Sequence, residues 1–184
     1  MLLHFKKVLK DKKSHKSQKG TKSGKGEGYS TNITNKQIVA AQDAWGQGIV
    51  KIASAYEAGE DYVQVAEKHI DTLYAYGKTP VLFKPTLAAE KQFRSTFAEA
   101  LSYFVASNNA APEDKGFAIK GWTKVRFENV DILTEGKVGM AMGNYFFTTP
   151  GGDEVKVEYS FGYFLDDEGS VRINLHHSSM PYAP

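Results

Sequence analysis

The chain has 184 residues, of which 41% are hydrophobic and 24% charged, the proportions of one soluble globular domain and not of a disordered or fibrous polymer. It contains no cysteine, which excludes a disulfide framework, a thiolate nucleophile and any Cys-ligated zinc or iron–sulfur site. The net charge of +2 conceals two unlike parts: residues 1–28 hold nine Lys against Asp11 and Glu27, a balance of +7, while the remainder holds 14 basic and 19 acidic groups, a balance of −5. The body is acidic and presents no general basic face for nucleic acid. No run approaches the ~20 apolar residues of a membrane-crossing helix, and Met1-Leu2-Leu3 is far shorter than the ~7–15 residues of a signal-peptide core.

Residues 1–30 are mostly Lys, Ser and Gly, with too little to bury to offset the entropy of ordering, and they read as a flexible tail or linker. Order is expected from about Thr31, giving a domain over 31–184. After the capping residues Thr34 and Asn35, Ile38, Ala41, Trp45, Ile49, Ile52 and Tyr56 recur at steps of three and four. That spacing predicts a long amphipathic helix ending at Gly59. A second helix is expected from Asp61 to about Leu73, with Val65, His69 and Thr72 on one side. Gly77-Lys78-Thr79-Pro80 reads as a turn, Val81-Leu82-Phe83 as a short extended stretch, and residues 88–105 as a third helix with Phe93, Phe97, Leu101 and Phe104 inward.

From Lys115 the pattern alternates. Four strands are expected, separated by turns at 134–136, 150–153 and 166–169. Helices followed by an antiparallel meander predict an α+β domain in which helices cover one face of a curved sheet. A pocket at the wide end of the resulting cone and a dimer surface on the uncovered face are the corresponding expectations.

No Gly-x-Ser-x-Gly elbow, phosphate-binding loop, dinucleotide fingerprint or His-Glu-x-x-His helix occurs. The distinctive stretch is RINLHHSSMPY. Strict alternation puts Val171, Ile173, Leu175, His177 and Ser179 on one face and Arg172, Asn174, His176 and Ser178 on the other. Adjacent histidines then diverge, so one metal ion would need His69, His176 and His177 brought together against that geometry. Asp166, Asp167 and Glu168 read as solvated turn carboxylates. Thr86 suits the N-cap of the third helix, and Tyr103 suits the core.

Taken in order, VLFKPT, QFRSTFAEALSYFV, KGFAIKGWTKVRFEN, MGNYFF, VKVEYSFGYF and RINLHHSSMPY resemble the iota class of carbonic anhydrases over about residues 35–182. The resemblance implies a cone-shaped nuclear transport factor 2-like fold, similar to the association domain of calcium/calmodulin-dependent protein kinase. It implies reversible hydration of carbon dioxide to bicarbonate and a proton without an obligatory metal, although manganese and zinc have been described for members. By motif it carries catalytic roles to Thr86, Tyr103, His176 and Ser178, with Ser179 a weaker substrate contact. The parity of the last strand leaves His177 and Ser179 as the alternative inward pair. A homodimer through the sheet is the implied assembly. The resemblance fits a chloroplast setting for an algal source and otherwise a bacterial cytoplasm or periplasm.

The chemistry needs an apolar wall for carbon dioxide, for which Phe83, Phe104, Phe146 and Phe161 are candidates, and convergent donors for bicarbonate. Two other readings of the fold are a non-catalytic association module and a small-molecule-binding or isomerase domain. The second requires a buried carboxylate, with Glu128 and Glu158 as candidates.

Overall fold

The computed structural model describes residues 32–183; the expected tail over 1–30 lies outside them. Three helices, α1 (Asn35–Glu57), α2 (Tyr62–Leu73) and α3 (Phe97–Val105), precede or flank five strands. These are β1 (Leu82–Lys84), β2 (Lys124–Glu135), β3 (Val138–Thr148), β4 (Glu154–Leu165) and β5 (Val171–Ser179), and one 3-10 turn spans Phe117–Ile119. The sheet order is β1-β5-β4-β3-β2, antiparallel throughout except for the parallel pair β1 and β5.

Helix α1 forms where its stripe predicts. Thr34 caps it, with the Gln37 side chain returning to the Thr34 backbone as a capping box. Ile38, Ala41, Trp45, Ile49 and Ile52 are buried, but Tyr56 is exposed, because the last turn runs past the edge of the core. On α2, capped by Asp61, the inward residues are Ala66, His69, Ile70 and Leu73, and Thr72 faces out.

The third helix begins at Phe97, nine residues later than expected from residue 88. A Thr96–Glu99 capping box starts it there. The segment before it is held in an open loop by one distant carboxylate: Glu113 accepts backbone N–H bonds from Ala89, Glu90 and Lys91 at 2.9, 3.0 and 2.9 Å. The Arg94 N–H donates to the Phe83 carbonyl at 2.8 Å, and its buried guanidinium meets Asp114 at 2.7 Å. Phe93 is consequently on the surface, and Thr86 does not cap this helix.

Hairpins place β2 to β5 as the turns predicted. On β3 the inward set is Ala141, Tyr145 and Phe147, so Phe146 points to the other face, where the Arg126 guanidinium lies 3.8 Å over its ring. Gly143 is required by close approach: a Cβ there would sit 2.1 Å from the Glu128 carbonyl oxygen. Asp166 is not a solvated turn residue. It is buried, pairs with Arg172 at 2.8 Å and accepts the Ser170 N–H at 2.8 Å, closing the β4–β5 turn. Glu128 and Glu158 are both exposed on the outer face, which removes the two carboxylates named for the isomerase reading.

One irregularity decides the orientation of β5. Gly162 pairs with Leu175 but Tyr163 pairs with Ile173, so Asn174 is an extra residue in the strand. The bulge resets the alternation, and Ile173, His176 and Ser178 all face the helices. Strict alternation had separated Ile173 from His176. The parity alternative, with His177 and Ser179 inward, fails for the same reason.

Candidate active site

The site forms where β1 and β5 run side by side. Their parallel register sets Phe83 against His176 and Lys84 against His177. The chain leaving β1 through Pro85 therefore arrives at the same end of the sheet as the end of β5. There the Thr86 hydroxyl donates to the Ser178 hydroxyl at 2.9 Å. Ser178 is buried.

His176 is clamped in the core. Its ring stacks between Phe83, with centroids 4.6 Å apart, and Phe161, at 4.1 Å, while Trp45 meets it edge-on at 5.6 Å. The Tyr74 hydroxyl lies 2.8 Å from Nδ1, and the Trp45 indole N–H donates to that same hydroxyl at 2.9 Å. The Tyr74 oxygen accepts from Trp45, and among the described residues Nδ1 is the one acceptor within reach of its proton, so we assign Nδ1 as the unprotonated nitrogen. The remaining N–H, at Nε2, faces the Tyr145 hydroxyl at 3.5 Å. Burial, with His177 and His69 adding to it, holds His176 well below the usual histidine range. It is a neutral ring of fixed tautomer at neutral pH.

Tyr145 links this ring to the hydroxyl pair. Burial pushes its phenol above the ordinary range, opposed by hydrogen bonding to Ser178 and Thr86. Tyr103 stands on the neighbouring wall, stacked on Phe117 at 5.6 Å and edge-on to Phe83 at 5.8 Å. Its phenol is likewise raised by burial, opposed in part by the backbone N–H of Leu87. A small cavity of about 80 Å³ lies beside it, lined among others by Leu87, Asp114 and Phe117. Every phenol in the cluster is thus a protonated donor at neutral pH, and the walls are Phe83, Phe104 and Phe161, all buried.

Of the residues singled out in the sequence, Thr86, Ser178 and His176 converge through Tyr145, with Tyr103 reached through Phe83. Ser179 lies on the opposite face of β5, 3.4 Å from Glu158, and His177 is exposed there. Neither belongs to the cluster. Among the described residues no group of three or more His, Asp and Glu is arranged to hold a metal ion.

Tyr145 and Tyr74 were missed. Tyr145 carries a legible signal, because it shares the parity of Ala141 and Phe147 on β3. Tyr74 carries none: it ends α2 and enters the site only through an isolated parallel bridge to Ile173.

A family model described as metal-independent carbonic anhydrase matches residues 36–180. A protein of Nostoc sp. (strain PCC 7120) named metal-independent carbonic anhydrase is 45% identical over 153 residues, covering 82% of this chain and 75% of its relative. The crystal structure of a cyanobacterial iota-carbonic anhydrase complexed with bicarbonate superposes with a TM-score of 0.81 at 43% identity, covering 84% of this chain and 96% of that one. A putative calcium/calmodulin-dependent protein kinase II association domain from Xanthomonas campestris shares the fold alone, with a TM-score of 0.57 at 20% identity over 84% and 98% of the two chains. The helices packed on one face of a five-stranded sheet are the α+β fold of these solved structures, and the chain belongs to the metal-independent carbonic anhydrase family.

Proposed function

We infer that this chain hydrates carbon dioxide reversibly to bicarbonate and a proton, without a metal, at the cluster formed by Thr86, Tyr103, Tyr145, His176 and Ser178. Family membership supports the reaction. The observation that carries the site is the Thr86–Ser178 hydrogen bond, two residues along β5 from the His176 ring that Phe83 stacks on.

Carbon dioxide is apolar and lies against Phe83, Phe104 and Phe161. The Thr86 and Ser178 hydroxyls hold a water against its carbon atom, and the Tyr103 and Tyr145 O–H groups donate to the carboxyl oxygens as negative charge develops there. The oxygen of the water joins the carbon, one C=O electron pair moves onto its oxygen, and one of the water's two protons leaves to solvent while the other stays in bicarbonate. His176 orients and does not relay. Its far nitrogen leads to Tyr74 and then to the Trp45 indole, which can only donate, so no proton travels out along that line. Its Nε2–H instead fixes the Tyr145 hydroxyl.

Ordinary carbonic anhydrase chemistry uses a metal to bring the pKa of water to about 7. Here preorganised hydroxyls act on a neutral water, and a modest turnover follows. The test is carbon dioxide hydration followed by stopped-flow pH change on chelator-stripped protein of measured metal content, with metal then restored. Full activity in the stripped protein supports the metal-free reaction; activity that returns only with metal overturns that mechanism, and none in either state overturns the function.

The finer assembly is a homodimer through the uncovered face of the sheet. Leu82, Val130, Met140 and Met142 are each more than half exposed there, an apolar patch suited to a second copy.

A further inference from the structure

The groove between α1 and α2, on the far side of Trp45 from the hydroxyl cluster, carries a set of features that the hydration reaction does not use. It is an open groove of about 380 Å³ whose lining includes Gly48, Val65 and Leu73 together with His69, Lys51 and Lys68. That volume lies within the range of small-ligand sites, ~300–1,000 Å³.

His69 is held there at a cost. It is only 7% exposed, and its Nε2 is buried with no hydrogen-bond partner. Gly48 sits in the interior of α1, where glycine weakens a helix by about 1 kcal/mol relative to alanine. The reason is the histidine: a Cβ at Gly48 would lie 2.0 Å from His69 Nδ1 and 2.5 Å from Cε1. The Nδ1 edge of the ring therefore lies over that glycine. A neutral imidazole protonated at Nδ1 turns its one donor to that side and leaves only a lone pair unpaired at Nε2.

The charge around it is one-sided. No carboxylate lines the groove, although the chain beyond residue 28 has an excess of acidic groups. Among the described residues neither Lys51 nor Lys68 is in an ion pair. A donor on a buried ring, two unpaired ammonium groups and an apolar lining complement one kind of occupant: a small molecule with a single carboxylate and a flat or short apolar body. The Lys-rich segment 1–28 has the same sign of charge as the two lysines.

We propose that the α1–α2 groove is a binding site for small amphipathic monocarboxylates, with His69, Lys51 and Lys68 as the carboxylate-holding groups. Benzoate is the probe and benzyl alcohol its uncharged counterpart, titrated into the full chain and followed by the His69 ring resonances and by calorimetry. Saturable benzoate binding that moves the His69 resonances is expected, at least about tenfold tighter than benzyl alcohol. The double variant Lys51→Gln/Lys68→Gln, changed only at exposed positions, should lose about tenfold in benzoate affinity while keeping its fold and its carbon dioxide hydration. Unmoved His69 resonances at saturating solubility of benzoate, equal binding of the alcohol, or undiminished binding by the double variant would each overturn the proposal. None of these outcomes bears on the hydroxyl cluster, so the two readings fail separately.

Discussion

Replacing Tyr74 by Phe removes one oxygen atom from a fully enclosed position and unpairs two groups at once. The Trp45 N–H, 2.9 Å away, loses its acceptor, and His176 Nδ1, 2.8 Å away, loses its donor. Trp45 and His176 are 1% and 2% exposed, so water does not replace the lost partner. An unsatisfied buried polar group costs about 1–3 kcal/mol, and two of them give an expected loss of about 2–6 kcal/mol. For a domain of this size that corresponds to a fall in Tm of about 4–24 °C. The function should suffer separately, because the ring is freed to exchange tautomers and Tyr145 is no longer fixed; hydration should fall about tenfold to a hundredfold below the melting range. Urea denaturation gives the first quantity and stopped-flow hydration the second, with 15N shifts of His176 reporting the tautomer. A Tyr74→Phe protein within about 0.5 kcal/mol of the parent, or one that keeps its His176 tautomer and full activity, would refute the assignment of this hydroxyl as the residue that sets the ring.

Other consequences are open to direct measurement. Ser178→Ala, Thr86→Val and Tyr103→Phe should each lower hydration by about two orders of magnitude, a loss typical of removing a preorganised donor, while shifting unfolding free energy by only about 1 kcal/mol; full activity in all three would sink the site. Burial lowers His69 to about 4 and lowers His176 in the same direction. The unfolded chain therefore binds more protons than the folded one below pH 6.5. The stabilisation is complete above that pH and is lost as pH falls to about 4, by about 3 kcal/mol for His69 alone. Equal urea midpoints at pH 7 and pH 4.5 would contradict it. Gly48→Ala should destabilise by about 1–3 kcal/mol through its collision with His69, despite the better helix propensity of alanine; a more stable variant in thermal melts would show that the ring moves aside freely. Met140→Glu with Met142→Glu should yield monomers in sedimentation equilibrium, and an unchanged mass would remove the uncovered face from the assembly.

Much of this fold was legible because the local signals agree with the global one. The α1 stripe, its Thr34 cap and the three hairpin turns need no distant partner to be read. The errors share a different cause. Whether residues 88–96 are helical depends on Glu113 and Asp114, which lie some twenty positions away and claim the backbone N–H groups and Arg94. Asp166 looks solvated until Arg172 is folded onto it. Thr86, Tyr103, His176 and Ser178 came from the resemblance of motifs, and their convergence rests on a parallel register no periodicity reports. The bulge at Asn174 is invisible to alternation, yet it alone decides which histidine of the pair is enclosed. Phe146 was read as a wall residue because aromatic character was weighed above its parity with Met140 and Met142.

The shortness of β1 bears on how the molecule ages under heat. This three-residue strand lies at the edge of the sheet and is tied to it only through β5, yet it carries Phe83 and delivers Thr86 to Ser178. Few backbone bonds need break for it to peel away, whereas the broad meander of β2 to β5 stays hydrogen-bonded along its length. Catalysis therefore has a lower thermal ceiling than the scaffold: turnover and the near-ultraviolet aromatic signal should fade several degrees before the far-ultraviolet strand signal, and amide exchange at Phe83 should outpace that of Tyr145.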